Sequence, residues 1–377
     1  MTLVRPGATI GILGGGQLGR MTGMAARSLG YDVHVLDPDP NCPARAVASR
    51  VITASFSDAG GAAELARGCD VVTLEIEQIS RVALEAAAQH APLHPGVEPV
   101  YIIQDRIRQR TWLDAHAFPV GAYRVATSAA ECEEAVAALG PSICKAPMGG
   151  YDGRGQVRVA SAGQGRAAYD ALGGDRCIVE QFLPLELELS VLVARRADGA
   201  CAVYPPSLNH HTEGVLDWSA CPAPVSPELA RRASDVGRGV AEALGLVGLV
   251  ACELFVTTDG RLLINELAPR PHNSYHHTER GCSTSQFEQL VRAVCGLPLG
   301  VTDVTAPSAI ANLLGDLWSP DAPSFDAALT VPHVRLHLYG KTLARPGRKM
   351  GHLSAVGASA MAARDAVLSA RSKMIAR

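Results

Sequence analysis

Aromatic side chains make up only 5% of this 377-residue sequence. Its cores must therefore be built mainly from small aliphatic residues. No unbroken apolar run approaches the roughly 18 residues that a transmembrane helix needs. The opening, MTLVRPGATI, lacks the basic region and apolar stretch of a signal peptide. Charge of one sign is also missing: the formal balance is −3, which gives no general pull toward nucleic acid or anionic membranes. Any bound anion must be held by local positive groups. Ten cysteines are present without one Cys-x-x-Cys pair, against a zinc ribbon or thioredoxin-like site. Cys144, Cys177 and Cys252 sit in apolar, strand-like runs as small buried thiols. Reduced thiols fit a cytoplasmic protein with no nucleic-acid and no membrane partner.

What is present is 47% hydrophobic and 19% charged, the balance of a soluble globular chain, and long enough for two or three domains. ATIGIL (Ala8 to Leu13), DVHVL (Asp32 to Leu36) and DVVTL (Asp70 to Leu74) read as buried strands. A helix between the first two carries Leu18, Met21, Ala25 and Leu29 on one stripe. This alternation predicts a parallel sheet faced by helices over residues 1–103. From about Gln104 the texture changes: a helix near QDRIRQRTWLDAHA, a strand around Tyr123, and a capping-box spacing from Ser128 to Glu131. Residues 104–306 read as an α+β domain rich in antiparallel pairing. Residues 307–377 read as a small β-rich unit with a terminal helix.

Two glycine loops stand out. Gly14, Gly16 and Gly19 have the G-x-G-x-x-G spacing between a strand and a helix, and Asp37 closes the next strand. That is the usual dinucleotide fingerprint, and it supports a rival reading as an NAD-dependent oxidoreductase. Its physical content is narrower, because a helix N-terminus with exposed amides favours some phosphate without naming it. The second loop, GGYDGRGQ (Gly149 to Gln156), follows a strand ending in Lys145. Its glycines free the backbone to fold over a polyphosphate, Arg154 adds charge, and Lys145 can reach phosphate as a compact cation. The Gly-Lys-Ser/Thr ending of a Walker loop is missing.

VACELFVT and RLLINELA flank Asp259-Gly260, a dipeptide of the two-residue hairpin type. Symmetric pairing about that turn places Glu253 opposite Glu266, each six residues from the nearer turn residue. Facing carboxylates repel. Among apolar neighbours the arrangement favours a divalent cation over an exposed pair, and oxygen ligands beside a polyphosphate mean Mg²⁺ or Mn²⁺. Asn265 can add an oxygen. In CIVEQFLPLELELSV, Glu180 and Glu188 have no role that local chemistry alone assigns.

Together these residues resemble the ATP-grasp superfamily, and more closely the 5-(carboxyamino)imidazole ribonucleotide synthase family. The resemblance runs from GILGGGQLGRM through GGYDGRGQ, VSPELA and INELAPRPHNS to ARPGRKMGHL. It implies an ATP-grasp fold, α/β and α+β, with an N-terminal parallel α/β domain and a small C-terminal β-rich domain. The implied enzyme is an ATP-dependent carbon–nitrogen ligase that carboxylates aminoimidazole ribonucleotide with bicarbonate in purine synthesis. It would work as a homodimer with ATP and Mg²⁺.

By that resemblance, ATP meets Arg106, Lys145, and Gly150, Tyr151, Asp152, Gly153, Arg154, Gly155 and Gln156 of the loop. Base and ribose meet Glu180, Gln181, Phe182, Leu183, Glu188 and His211, while Glu253 and Glu266 carry metal beside Asn265. The substrate phosphate falls to Gly16, Gln17 and Leu18 with Lys341 and Arg348. The imidazole and bicarbonate fall to Glu75, Tyr151, Arg270, His272, Asn273 and Ser274, with Arg270, His272, Tyr151 and Glu75 as the catalytic set. The fingerprint at Gly14 is thereby reassigned to a substrate phosphate.

The chain departs from the family's usual NSGHWT at Tyr275 and His277, and from Glu-Phe-Glu-Asn at Glu75-Ile76-Glu77-Gln78. These changes are expected to bear on the imidazole pocket, and Tyr275 is expected to be strained if its position needs positive φ. Nearer rivals are another ATP-grasp ligase, such as a formate-dependent glycinamide ribonucleotide transformylase, and a nucleotide sensor without catalysis.

Overall fold

The computed structural model describes residues 3–150 and 155–375. Near the N-terminus, four parallel strands lie in the order Arg50–Thr53, Asp32–Asp37, Thr9–Leu13, Val71–Leu74. Thr9–Leu13 and Val71–Leu74 are buried on both faces, which is why they read as continuous apolar runs rather than as alternation. The strand Arg50–Thr53 has no such run; it lies at the sheet edge and only Ile52 is buried.

One face of this sheet packs under the helices Ala59–Arg67 and Arg81–Ala88. The other face does not close its own core. Ile10, Ile12, Val33 and Val35 share a cluster with Leu192, Leu249, Tyr275, Leu290 and Val294, far along the chain. The N-terminal sheet is thus cemented to the middle of the molecule.

A second, antiparallel sheet runs Tyr123–Ala126, Cys177–Gln181, Ser142–Lys145, Gln156–Val159. Ser128 caps the helix over it, Ala129–Leu139, by accepting from the Glu131 amide at 3.2 Å. The Glu131 carboxylate reaches back one residue further than a simple capping box, accepting from the Thr127 amide at 2.7 Å.

The third sheet has nine strands. Its main path runs from Leu262–Ala268 through Gly248–Thr257, Leu185–Arg195, Ser207–Thr212 and Val215–Cys221 to Ser308–Leu314, Lys349–Val356 and Val334–Leu338. The C-terminal β-rich region does not form a sheet of its own. Trp218 pairs with Ala311 and Ala220 with Ala309, so the strands beyond residue 307 extend the central sheet. The terminal helix Ala360–Ile375 covers that extension, as its Ala363, Val367 and Ala370 are buried.

The hairpin ending at Ala268 contains two offsets that cancel. Val256 pairs with Leu262 and Leu254 with Ile264, while Glu253 pairs with Glu266 and Cys252 with Leu267. The connection is one residue longer than the expected Asp259-Gly260 turn: the Thr257 amide bonds the Arg261 carbonyl at 3.0 Å and Gly260 adopts φ +81°. A one-residue bulge between the two registers, taken up at Asn265, restores the facing of Glu253 and Glu266.

Candidate active site

Lys145 and Glu180 stand on neighbouring strands of the small sheet, and Arg110 comes from the helix Arg106–Ala115. The Glu180 carboxylate takes Lys145 Nζ at 2.5 Å and the Arg110 guanidinium through Nη2 and Nε. Burial alone would raise its pKa, but the two cations bring it down to about 2. The carboxylate thereby fixes Lys145, one of the residues expected at the ATP phosphates. Arg110 also donates to the carbonyls of Ile264 and Asn265 at 2.8 and 3.0 Å. It thereby ties the small sheet to the metal-candidate strand.

Arg106 opens the same helix, one residue after the Asp105 cap. It donates to Glu266 Oε2 at 2.8 Å and to the Gly150 carbonyl at 3.1 Å. Gly155 holds φ +67° and closes the loop through the Ala146 amide, and Gln156 begins the next strand opposite Lys145. Tyr151, Asp152, Gly153 and Arg154 lie outside the described residues. Gln181 ends its strand, and Phe182 and Leu183 follow it, with Arg158 stacked 3.9 Å from the Phe182 ring. Glu188 and His211 meet at 2.7 Å, and that contact raises the histidine's pKa against the effect of burial.

The paired glutamates divide their roles. Burial, and then the neighbouring Glu266, push Glu253 up to about 7. Glu266 is lowered instead, because Arg106 outweighs its burial. Asn265 donates to Glu253 Oε2 at 3.3 Å, and its own Oδ1 is buried without a hydrogen-bond partner among the described residues. Two facing carboxylates plus an orphaned amide oxygen form an all-oxygen donor set, which fits a hard divalent cation. His272 Nε2 stands 3.3 Å from Glu253 Oε1, and burial pushes its pKa down to about 3, so the imidazole is neutral.

On the other side, the first glycine loop is already engaged. Gly15 N–H donates to Asp37 at 2.7 Å; those of Gly16 and Gly19 donate to Glu75 at 2.5 and 2.7 Å. Asp37 therefore secures its own loop and does not present itself to a ribose, which removes the physical basis of the NAD reading. Gly14 needs its φ of +98°, and a Cβ on Gly19 would stand 2.5 Å from the Gly14 carbonyl oxygen. Lys341 crosses from the C-terminal region to donate to Gln17 Oε1 at 2.9 Å. Leu18 is a core residue beside Met21, Phe287 and Tyr339, so only its backbone can face a ligand. Arg348 bonds the Leu343 carbonyl within its own turn at 2.8 Å.

Arg270 forms a two-point pair with Glu77, at 2.5 and 3.0 Å, and burial of that carboxylate is outweighed by the guanidinium. Ser274 and Asn273, both expected near the imidazole, are buried beside His272. Ser274 is fully buried, its hydroxyl held by Ser190 and by His272 Nδ1, both at 2.8 Å. Asn273 exchanges two hydrogen bonds with Asn312, at 3.1 and 2.6 Å. Both side chains set the wall behind His272.

Tyr275 and His277 are likewise interior. Tyr275 lies in a 3-10 turn outside the left-handed region and donates to the carbonyls of Ser190 and Pro205 at 2.7 and 3.0 Å. His277 nitrogens face Ser207 and Ser308 hydroxyls at 3.1 and 3.3 Å. The expected backbone strain is absent at Tyr275, and both departures sit in the core.

Sequence reasoning missed Arg110, Glu77 and Asn312 as organising residues. Arg110 shares a helix with Arg106 one turn on, and Glu77 is two residues from Glu75, so proximity was the available signal. Asn312 lies in an apolar strand, where a buried amide was the only clue.

Three stretches match known families: a ribonucleotide synthetase preATP-grasp domain at residues 7–104, an ATP-grasp domain at 111–287, and a phosphoribosylaminoimidazole carboxylase C-terminal domain at 308–366. The N5-carboxyaminoimidazole ribonucleotide synthase of Bacillus subtilis (strain 168) is 40% identical over 356 residues, covering 93% of this chain and 92% of its own. The crystal structure of an N5-carboxyaminoimidazole ribonucleotide synthetase with ADP superposes at TM-score 0.91 with 39% identity, covering 98% of both chains. The Aspergillus clavatus enzyme, in complex with ADP and 5-aminoimidazole ribonucleotide, superposes at TM-score 0.89 with 30% identity, covering 97% of this chain and 98% of its own. The chain belongs to the N5-carboxyaminoimidazole ribonucleotide synthase family of ATP-grasp ligases.

Proposed function

We propose a division of labour among this chain's residues for the family reaction: ATP-dependent carboxylation of 5-aminoimidazole ribonucleotide by bicarbonate, yielding the N5-carboxyamino product, ADP and phosphate. The observation that carries it is the facing of Glu253 and Glu266 between the cations Arg106 and Lys145 and the pair Arg270 and His272. Lys145 and Arg106, with the loop from Gly150 to Gln156, hold the ATP phosphates. Gln181, Phe182, Leu183, Glu188 and His211 form the base and ribose side. Glu253, Glu266 and Asn265 hold Mg²⁺ or Mn²⁺, which when bound supplies positive charge to the phosphoryl oxygens.

A bicarbonate oxygen takes the terminal phosphoryl group, the bond to ADP breaks, and carboxyphosphate forms. Arg270 and His272 hold the bicarbonate and then the departing phosphate; a guanidinium already fixed by Glu77 is most effective where charge develops. Carboxyphosphate splits into carbon dioxide and phosphate. The exocyclic amine adds its electron pair to that carbon and loses a proton, which this reading gives to Glu75, whose burial raises its affinity for one. Lys341, Gln17 and the amides at Gln17 and Leu18 take the substrate phosphate, with Arg348 beside them. Tyr151, outside the described residues, shares the imidazole and bicarbonate side of this assignment. A homodimer in the cytoplasm is the setting this reading carries; light scattering on the purified protein tests the assembly.

The direct test is phosphate release from ATP with Mg²⁺ and bicarbonate, with and without aminoimidazole ribonucleotide. Stimulation by the nucleotide, lost in Glu266→Gln, is the expected result. ATP binding without any stimulation overturns the assignment of substrate.

A further inference from the structure

Beside Tyr339, whose ring centre lies 5.4 Å from Lys341 Nζ, is a histidine cluster to which the proposed reaction gives no task. His337 and His352 are directly opposed on antiparallel strands, with rings stacked 5.0 Å apart. Glu279, from the short helix Thr278–Gly281, reaches the same point, its Oε2 3.8 Å from His337 Nδ1. One ligand atom from each of the three lies within 4.8 Å of the others. A third imidazole, His276, is fully buried against His352 at 4.8 Å between ring centroids, and its Nε2 has no hydrogen-bond partner among the described residues.

We propose that Glu279, His337 and His352 form a second, non-catalytic metal site, selective for a zinc-like transition ion. The donor set is two imidazoles and one carboxylate, which suits Zn²⁺ far better than Mg²⁺. His352 already has a supporting contact of the kind such ligands use: its Nδ1 meets the Tyr339 hydroxyl at 2.9 Å, which orients the ring.

The surrounding charge opposes a cation rather than drawing one in. Arg335 acts on Glu279 and Arg20 on His337, so the site does not attract cations by net negative charge. An ion held there is held by nitrogen donation, which Mg²⁺ and Ca²⁺ do not exploit. Donors around zinc stand about 3.3 Å apart, given bonds of about 2 Å, so side-chain torsions must draw the three inward. The bound ion would join the edge strand Val334–Leu338 to the turn that follows His272. That would stiffen the wall from which Lys341 projects.

The test uses full-length, tag-free protein stripped with a chelator, then titrated with Zn²⁺ against a chromophoric competitor under saturating Mg²⁺, with Co²⁺ as a spectroscopic substitute. Expected is uptake of one Zn²⁺ per chain by the unmodified protein and by Glu266→Gln, with the visible bands of low-coordinate Co²⁺. Glu279→Gln and His337→Ala, both at partly exposed positions, should lose uptake at the same free Zn²⁺ while keeping their circular dichroism. No stoichiometric uptake by the unmodified protein overturns the proposal. So does uptake that survives in both variants and vanishes in Glu266→Gln, which places the ion between the paired glutamates instead.

Discussion

Glu253 is a carboxyl group whose proton affinity reports on its neighbours. In metal-free protein it ionises near pH 7 rather than near 4.5, through burial and the charge on Glu266. A raised folded-state pKa gives stability that is complete below the unfolded value and is lost as pH rises through the folded value. Thermal unfolding without metal should therefore show a loss between about pH 4.5 and pH 7 that is absent from Glu253→Gln. Magnesium should remove most of this difference by neutralising the pair. Metal affinity should rise across the same window, because binding displaces the Glu253 proton; calorimetry in buffers of different ionisation enthalpy would detect its release. Tyr275 gives a contrasting case. Tyr275→Phe removes the donor to two buried carbonyls and should cost about 1–3 kcal/mol, read by urea denaturation, with KM for the imidazole nucleotide unchanged. A large change in that KM would mean that the side chain reaches the pocket after all.

Among the elements, the salt-bridged trio of Lys145, Glu180 and Arg110 holds the phosphate-binding lysine on its strand. Glu180→Gln keeps the shape but weakens the hold on Lys145. A small misplacement of a positioning group can cost on the order of 100-fold, so kcat/KM for ATP should fall by up to that factor. Retention of full activity would show that the lysine needs no such restraint. The sequence made Lys145 and the second glycine loop legible because a cation before a glycine run is a local pattern. Glu180 was opaque because its partners lie 35 and 70 residues away along the chain. The hairpin was legible for an incomplete reason: assuming a two-residue turn placed Glu253 opposite Glu266, yet the chain reaches that register by a longer connection and a compensating bulge at Asn265. Periodicity cannot reveal a bulge, since it leaves no mark in composition. The edge strand Arg50–Thr53 escaped notice for a related reason, having a single buried residue to announce it.

For the molecule as a whole, the contact between Lys341 and Gln17 joins residues 324 positions apart. Lys341→Met should raise KM for the imidazole nucleotide by roughly 10- to 100-fold, the worth of one hydrogen bond to a charged group, and leave KM for ATP nearly unchanged. An equal rise in both would mean that the two subsites are not separable. The departures at Tyr275 and His277 were misplaced by sequence reasoning because motif proximity to His272 says nothing about which way a side chain turns.

The nine-stranded sheet has one more consequence. The strand bearing Glu266 lies at one edge and the strand bearing His337 at the other, and every strand between is hydrogen-bonded to its neighbours. A ladder of that kind resists shear, so the cation seat and the C-terminal wall are parts of one rigid plate. The four-stranded sheet with Lys145 belongs to a different ladder and is fastened to the plate by side chains such as Arg110 and by a few backbone bonds, such as the Ile264 amide to the Pro119 carbonyl. Any adjustment that accompanies a turnover must then fall along that seam, like a hinged press whose bed never moves, and substitutions along the seam should alter the timing of the cycle more than its chemistry.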